Sequence, residues 1–339
     1  MGPTGDDIGV IQIHPTRHCN LRCQHCYSTS GPEQAGALPI EALERLLAEA
    51  RQEGFNGLGC SGGEPLVYRP LSRLIGCAAG LGFVTSVTTN GLLLNARHIA
   101  QLKPHLSLLA ISLDGVPESH DRLRALPGAF AKLRRKLAAV RAAGLRFGFI
   151  FTLTFENLDE LGWVAEFAVA EGASLLQIHP LEQVGRARDY ELLPPDDLEL
   201  SYAFLEVARL GKLYQGRIAL QFDAADRSLI ACKPELAFAV PTPDAASLAG
   251  MPLAALVSPL VVEEDGVIVP VQHGFSRDFA IGRLGGDFRE QAARWKRARY
   301  PAFLDLARDV WERMRDAPAH LPFTNWYSAI TTGSASHGR

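Results

Sequence analysis

Cys19-Asn20-Leu21-Arg22-Cys23-Gln24-His25-Cys26 places three thiols on one short loop, directly after an apolar run at 10–13 that has the character of a β-strand. Three thiolates each hold one iron corner of a cubane, and a chain that supplies three rather than four leaves the last iron open to an outside ligand. The spacing therefore predicts a 4Fe-4S cluster on Cys19, Cys23 and Cys26. A closed zinc site is the alternative, and it needs His25 or His18 as a further ligand at very tight spacing. Disulfides are disfavoured: three cysteines cannot pair among themselves, and the acidic, glycine-bearing residues 1–9 lack the apolar core of a secretory signal. The expected compartment is the cytoplasm, where thiols stay reduced.

Outward from this loop, β-branched segments alternate with helical patterns. Strands are expected near 10–13, 58–61, 84–88, 108–113, 147–153 and 175–178, and helices over 39–53, 71–81, 97–102, 130–143, 158–171 and 196–213. Ile40, Leu43, Leu47 and Ala50 share one face of the first helix, and Gly54, Gly82, Gly144 and Gly172 stand where C-caps belong. Six βα units predict an α/β fold, a partial (β/α)6 TIM-like barrel with its ligands at the C-terminal mouth of the strands. The cysteine loop, Gly62-Gly63-Glu64-Pro65, Thr89-Asn90-Gly91 and Ser112-Leu113-Asp114-Gly115 fall at the first four strand ends. Singly these are ordinary turn sequences, and their shared position gives them weight.

Composition sets the outer limits. With 339 residues and 47% hydrophobic content the chain can bury a large core and a smaller second one. A net charge of -3 gives no general pull toward nucleic acid, and Arg134, Arg135, Lys136 and Arg141 read as a solvated helix face. No apolar stretch reaches membrane-spanning length, so neither nucleic acid nor membrane is an expected partner.

The cysteine spacing, with Tyr27 behind it and Gly62-Gly63-Glu64-Pro65 downstream, resembles the radical S-adenosylmethionine (radical SAM) enzymes. That resemblance implies that the methionyl amine and carboxylate of S-adenosylmethionine chelate the open iron and that an electron then releases a 5'-deoxyadenosyl radical. It places Gly62, Gly63, Glu64 and Pro65 at the methionyl amine, with glycine allowing close backbone approach to the methionine. It assigns Thr89, Asn90, Ser112 and Asp114 to the ribose and carboxylate, the backbone of His25 to the adenine, and Arg124 and Ile178 to further contacts. Gln177-Ile178-His179-Pro180-Leu181 with Gly185-Arg186-Ala187, and His120-Asp121-Arg122-Leu123-Arg124 with Gly128 and Phe130, resemble the subgroup with a C-terminal auxiliary-cluster (SPASM or twitch) domain. Residues 259–270 and 281–284 read as the hairpin and turn of that domain. Val271 stands where its cysteine after the hairpin glycine belongs, and 251–256 offers no upstream cysteine, so one cluster and a degenerate extension are expected.

The expected organisation is an arm at 1–9, a radical SAM core at 10–215, a twitch-like α+β extension at 216–316 and a tail at 317–339 with a mobile end from 332. So short an arm is expected to leave no room for the winged-helix peptide-binding domain that some peptide-modifying relatives carry. Cys77 reads as a helix core residue and His273 as a turn histidine near the missing cluster. Cys232 and Cys60 are the candidate catalytic thiols, as hydrogen donors, with a core role the stronger reading for Cys60.

The resemblance implies hydrogen abstraction from an unactivated carbon, on a ribosomally made peptide. A redox-neutral outcome such as epimerisation is expected where no second cluster takes the substrate's electron. A small-molecule cofactor or antibiotic precursor is the alternative substrate. A non-enzymatic iron-sulfur or zinc-binding module is the alternative of another class, and it has no need of the Gly-Gly-Glu-Pro and Ser-Leu-Asp-Gly turns. The implied partners are an external electron donor such as flavodoxin or ferredoxin and, for a peptide substrate, a separate recognition protein.

Overall fold

The computed structural model describes residues 9–240, 242–316 and 322–337. β1 (Gly9–Ile13), β2 (Phe55–Cys60), β3 (Val84–Thr89), β4 (Leu108–Ser112), β5 (Phe147–Leu153) and β6 (Leu175–Pro180) form at all six expected places, each parallel to the next. A seventh parallel strand, β7 (Ala219–Phe222), pairs with β6. It lies beyond the six expected because its residues are half-buried or exposed, so no continuous apolar run marks it.

β8 (Ala225–Asp226) stands outside this ladder. The expected hairpin and turn appear as β9 (Leu260–Val262), β10 (Val267–Pro270) and β11 (Gly282–Arg283). β9 runs parallel to β1, with β10 and β11 antiparallel beyond it, so the hairpin widens the same sheet. The result is ten strands in the order β11-β10-β9-β1-β2-β3-β4-β5-β6-β7, open at both edges and therefore a partial barrel, while β8 pairs with β12 (Phe323–Thr324) in a second small sheet.

The two faces of the main sheet differ in chemistry. Ile111, Phe149 and Leu176 are neighbours in one row and fully buried in the apolar core. The alternate positions form rows such as Thr88, Ala110 and Gly148, and Ser112, Ile150, Gln177 and Gln221. Period-two alternation thus leaves a face of small and polar side chains, where a ligand fits.

The crossovers carry α1 (Ile40–Gln52), α2 (Leu71–Gly80), α3 (Ala96–Leu102), α4 (Pro117–Leu123), α5 (Ala129–Ala142), α6 (Leu161–Ala170), α7 (Arg186–Asp189) and α8 (Asp197–Leu213). α1 buries Ile40, Leu43, Leu47 and Ala50 as its periodicity requires, and Gly54 reverses the chain behind it at φ +88. The helix expected from 158 opens instead as a 3-10 turn, Phe155–Glu160, because Thr154 and Asn157 cap each other's backbone N–H there.

α9 (Arg227–Cys232), α10 (Ala245–Gly250), α11 (Phe288–Ala298), α12 (Tyr300–Arg315) and α13 (Trp326–His337) complete the chain. The expectation of a mobile end fails at 332–337, which form the last turns of α13. Ile330 and Ser334 are buried, and a Cβ on Gly333 would meet Leu306 and Val310 of α12 at 3.1 and 3.0 Å. Small residues here allow helices to pack closely, a role that composition alone hides. Residues 338–339, with 1–8 of the arm and 317–321 of the tail, lie outside the described residues. Among those described, no helix is long and apolar enough to cross a membrane.

Candidate active site

The cysteine loop leaves the end of β1 and is pinned mainly by backbone groups. Cys19 N–H donates to Gly31 O (3.2 Å) and Gln24 N–H to Leu123 O (2.8 Å). Arg186 supplies three further ties: its N–H to Cys26 O (3.0 Å), Nε to Cys23 O (2.9 Å) and Nη2 to Ser30 O (2.6 Å). The Gly185-Arg186-Ala187 motif is visible in the sequence, whereas its clamp on a loop 160 residues away is not. Gly185 is required there at φ +56, since a Cβ would strike the Cys26 and Tyr27 carbonyls.

Cys19 and Cys23 are buried and pack with Leu21 and the half-buried Cys26. Burial pushes the Cys19 thiol up to about 12 and raises Cys23 as well, although Arg124 opposes the latter. A metal cluster would supply the positive charge that these sulfurs lack. Two donors already aim at them: Asn90 Nδ2 lies 3.9 Å from Cys19 Sγ and Arg124 Nη1 3.6 Å from Cys23 Sγ. Such N–H donors to sulfur fit an iron-sulfur cluster. His18, one histidine a zinc site would need, holds the Gln34 carbonyl through Nδ1 (2.9 Å).

Glu64 is buried at the end of β2. Its carboxylate accepts from Thr89 Oγ1 (2.7 Å), Leu66 N–H (3.0 Å) and Asn90 N–H (2.9 Å), tying the ends of β2 and β3 together. Burial raises its pKa against the pull of these donors. Pro65 opens the 3-10 turn behind it.

The two glycines before Glu64 face protein. A Cβ on Gly62 would lie 2.8 Å from His14 Cβ, and one on Gly63 would strike the His18 carbonyl. Gly63 N–H donates to Thr16 O (2.9 Å) and Glu64 N–H to His18 O (3.0 Å), so this turn is bonded to the approach of the cysteine loop. Gly63→Val is therefore expected to displace the loop, destabilising the chain by about 1–3 kcal/mol and lowering iron retention together with cofactor affinity. Iron content and thermal midpoint on one sample check this. Full iron with only cofactor affinity lost would show that the turn acts on the ligand alone.

Asp114, beyond β4, is the centre of the third group. Its Oδ2 accepts from Arg124 Nε at 2.5 Å and lies 3.9 Å from both His25 Nε2 and His120 Nδ1. Burial would raise this carboxyl, but Arg124, His25 and His120 outweigh it and hold it at about 2. Burial lowers His25 and His120 to about 4, so both are neutral at neutral pH. Asn157 Nδ2 donates to Asp114 O (3.2 Å) and Thr152 O (2.9 Å), which fixes the turn from β5. Asp114 Oδ1 and His25 Nδ1 remain buried without a hydrogen-bond partner. Orphaned polar atoms of this kind fit a polar ligand beside the thiols.

The structure therefore brings together Cys19, Cys23, Cys26, His25, Gly62, Gly63, Glu64, Thr89, Asn90, Asp114 and Arg124, with Ser112 buried at the end of β4. Ile178 and Cys60 instead lie in the apolar core, so the side chain of Ile178 is turned from the polar face. Cys77 is half-buried in α2, and Cys232 is exposed at the end of α9. Sequence reading has Gln177 and His179 only as part of a motif and misses their shared partner: Gln177 Nε2 and His179 Nδ1 both meet Asp223 Oδ2, at 2.6 and 3.2 Å. Their alternation with Leu176 and Ile178 is the signal that reveals them.

Buried thiols at the mouth of a parallel α/β sheet, with free acceptors beside them, define a class of protein that couples an iron-sulfur cluster to a small polar cofactor. Residues 13–168 match the Radical SAM superfamily, so this part of the chain is a radical SAM domain. The matched family implies a 4Fe-4S cluster and S-adenosylmethionine. The chain is 30% identical over 183 residues to the Fe-coproporphyrin III synthase of Methanosarcina barkeri, covering 53% of this chain and 46% of that one. It is 30% identical over 200 residues to the PqqA peptide cyclase of Granulibacter bethesdensis, covering 57% and 54%. The chain thus spans about half the length of these curated relatives. The solved structure of anSMEcpe with bound AdoMet shares the fold at TM-score 0.64 and 16% identity, covering 98% of this chain and 96% of that one.

Proposed function

We propose that this chain is a radical SAM enzyme that removes a hydrogen atom from an unactivated carbon of a ribosomally made peptide. The gathering of three loop thiols beside the unpartnered Asp114 Oδ1 and His25 Nδ1 carries this reading. Cys19, Cys23 and Cys26 would hold the cluster. When bound, cluster and S-adenosylmethionine supply the electron and the carbon radical for abstraction.

The protein's own part is orientation and exclusion of water. Arg124 and Asn90 donate toward the sulfurs, Arg186 holds the loop closed, and Ser112 and Asp114 present acceptors at the strand ends for the cofactor's hydroxyl and charged groups. Gln177, His179 and Asp223 form a polar wall on the same sheet face, suited to substrate contact.

The relation to a peptide cyclase supports a peptide substrate. The equal identity to an Fe-coproporphyrin III synthase supports the second reading, a small-molecule substrate. Val271 and the cysteine-free 251–256 support a single cluster, and one cluster favours a redox-neutral outcome. A cytoplasmic setting and a flavodoxin or ferredoxin donor complete the proposal.

Reconstituted protein with a strong reductant is expected to convert S-adenosylmethionine to 5'-deoxyadenosine. With a precursor peptide encoded beside the gene, turnover in deuterated water should place solvent deuterium on the product carbon. Cys232→Ala should keep 5'-deoxyadenosine and lose product if Cys232 is the hydrogen donor. Product that is lighter by two hydrogens and free of solvent deuterium would rule out epimerisation.

A further inference from the structure

Beside the cysteine loop, side chains from distant parts of the chain meet in a cluster that the cofactor reading leaves unused. His14 follows β1, Tyr27 follows Cys26, Glu264 lies in the β9–β10 turn and His273 lies beyond β10. Glu264 Oε2 is 3.1 Å from His273 Nε2, and Glu264 Oε1 is 3.9 Å from His14 Nδ1. The two imidazoles stack at 5.3 Å, and the Tyr27 hydroxyl lies 3.3 Å from His14 Nε2.

His14 Nδ1 and Glu264 Oε1 are both buried without a hydrogen-bond partner, on side chains only 1% and 8% exposed. Leaving such atoms unsatisfied carries their full desolvation penalty. With Tyr27 at Nε2, His14 Nδ1 and the Glu264 carboxylate face each other at 3.9 Å, too far apart for a hydrogen bond. A cation between them would give both atoms a partner. Among the described residues no lysine or arginine pairs with Glu264, whereas the flanking Glu263 and Asp265 both pair with Arg277.

We propose that His14, Glu264 and His273 bind a first-row divalent metal ion, with zinc the expected occupant. Their donor atoms all lie within 4.8 Å of one another, and bonds of about 2.0–2.2 Å would draw them inward around the ion. Two imidazoles and one carboxylate form a donor set for zinc or ferrous ion that leaves coordination positions open. The ion would sit between the Gly62 turn, which packs against His14, and the hairpin whose auxiliary-cluster cysteines are missing. An open position there can take a carboxylate or carbonyl oxygen of the substrate and anchor it near the radical. Metal binding does not depend on which substrate the enzyme uses.

The test loads the reconstituted full chain with one equivalent of zinc, dialyses it, and measures retained metal together with zinc-edge X-ray absorption. About one zinc per chain in a shell of nitrogen and oxygen near 2.0–2.1 Å is expected. Glu264→Gln and His273→Ala should each lose this zinc while cluster iron and sulfide stay unchanged. Extra iron in the wild type that the same two variants lose would equally support the site and identify the ion as ferrous. A sulfur shell near 2.3 Å, zinc retained by both variants, or no extra metal in the wild type would overturn it and leave Glu264 and His273 as an ion pair.

Discussion

Alanine at Cys19, Cys23 and Cys26 together is expected to yield a folded chain with no cluster iron, no acid-labile sulfide and no cleavage of S-adenosylmethionine. The fold should survive because other groups hold the loop. Backbone bonds from Cys19, Gln24 and Arg186, with the Arg186 side chain on Cys23 O and Ser30 O, remain when the sulfurs are gone. Removing a buried thiol leaves only a small cavity, and the large-to-small penalty is then at the low end, about 1 kcal/mol per site. Cluster and activity should therefore fall to background while the circular-dichroism spectrum and the cooperative melt persist. Iron and sulfide retained near the wild-type amount would mean that the cluster is held elsewhere.

Local periodicity revealed the frame of the sheet, and spacing revealed the thiols. Ile40, Leu43, Leu47 and Ala50 mark a buried helix face within a few residues, and three cysteines on one loop need no long-range knowledge. What stayed hidden depends on contacts between distant segments. Arg186 stands in a motif visible in the sequence, but its hold on Cys23 O exists only once the chain brings the two together. Gly63 reads as a ligand-binding glycine, yet its hydrogen atom faces the His18 carbonyl. β7 escapes because an edge strand needs no apolar run, and α13 because Gly333 and Ser334 resemble a linker. His14 was legible in principle, being in phase with Gln12, but Glu264 and His273 reach it only when β9 adds beside β1.

Arg124→Leu is expected to be the most destabilising single substitution in the site. Asp114 is fully buried, and its closest charge partner is Arg124 at 2.5 Å. Removing one member of a buried pair leaves the other uncompensated, at about 3–5 kcal/mol. His25 and His120 stand farther off at 3.9 Å and, held low by burial, are neutral at neutral pH, so neither replaces the guanidinium. Arg124→Lys should recover part of the loss, because an ammonium keeps the charge but cannot reach Asp114 and Cys23 Sγ with one planar fork.

The pH dependence has a definite sign. The Asp114 carboxyl titrates at about 2 in the folded chain against an ordinary value of 3.8, so its contribution is full above about pH 4 and fades as pH falls toward 2. In Arg124→Leu the Arg124 share of that contribution, the largest, is lost, and the carboxyl is pushed toward its neutral form, opposed only by His25 and His120 where they are protonated, below about pH 4. The gap in unfolding free energy between wild type and variant should therefore be widest near neutrality and narrow in acid. Urea unfolding of the metal-free proteins between pH 7 and pH 3 would show it. A gap that is negligible at neutral pH, or that does not change with pH, would mean that Arg124 stabilises the site by packing rather than by charge.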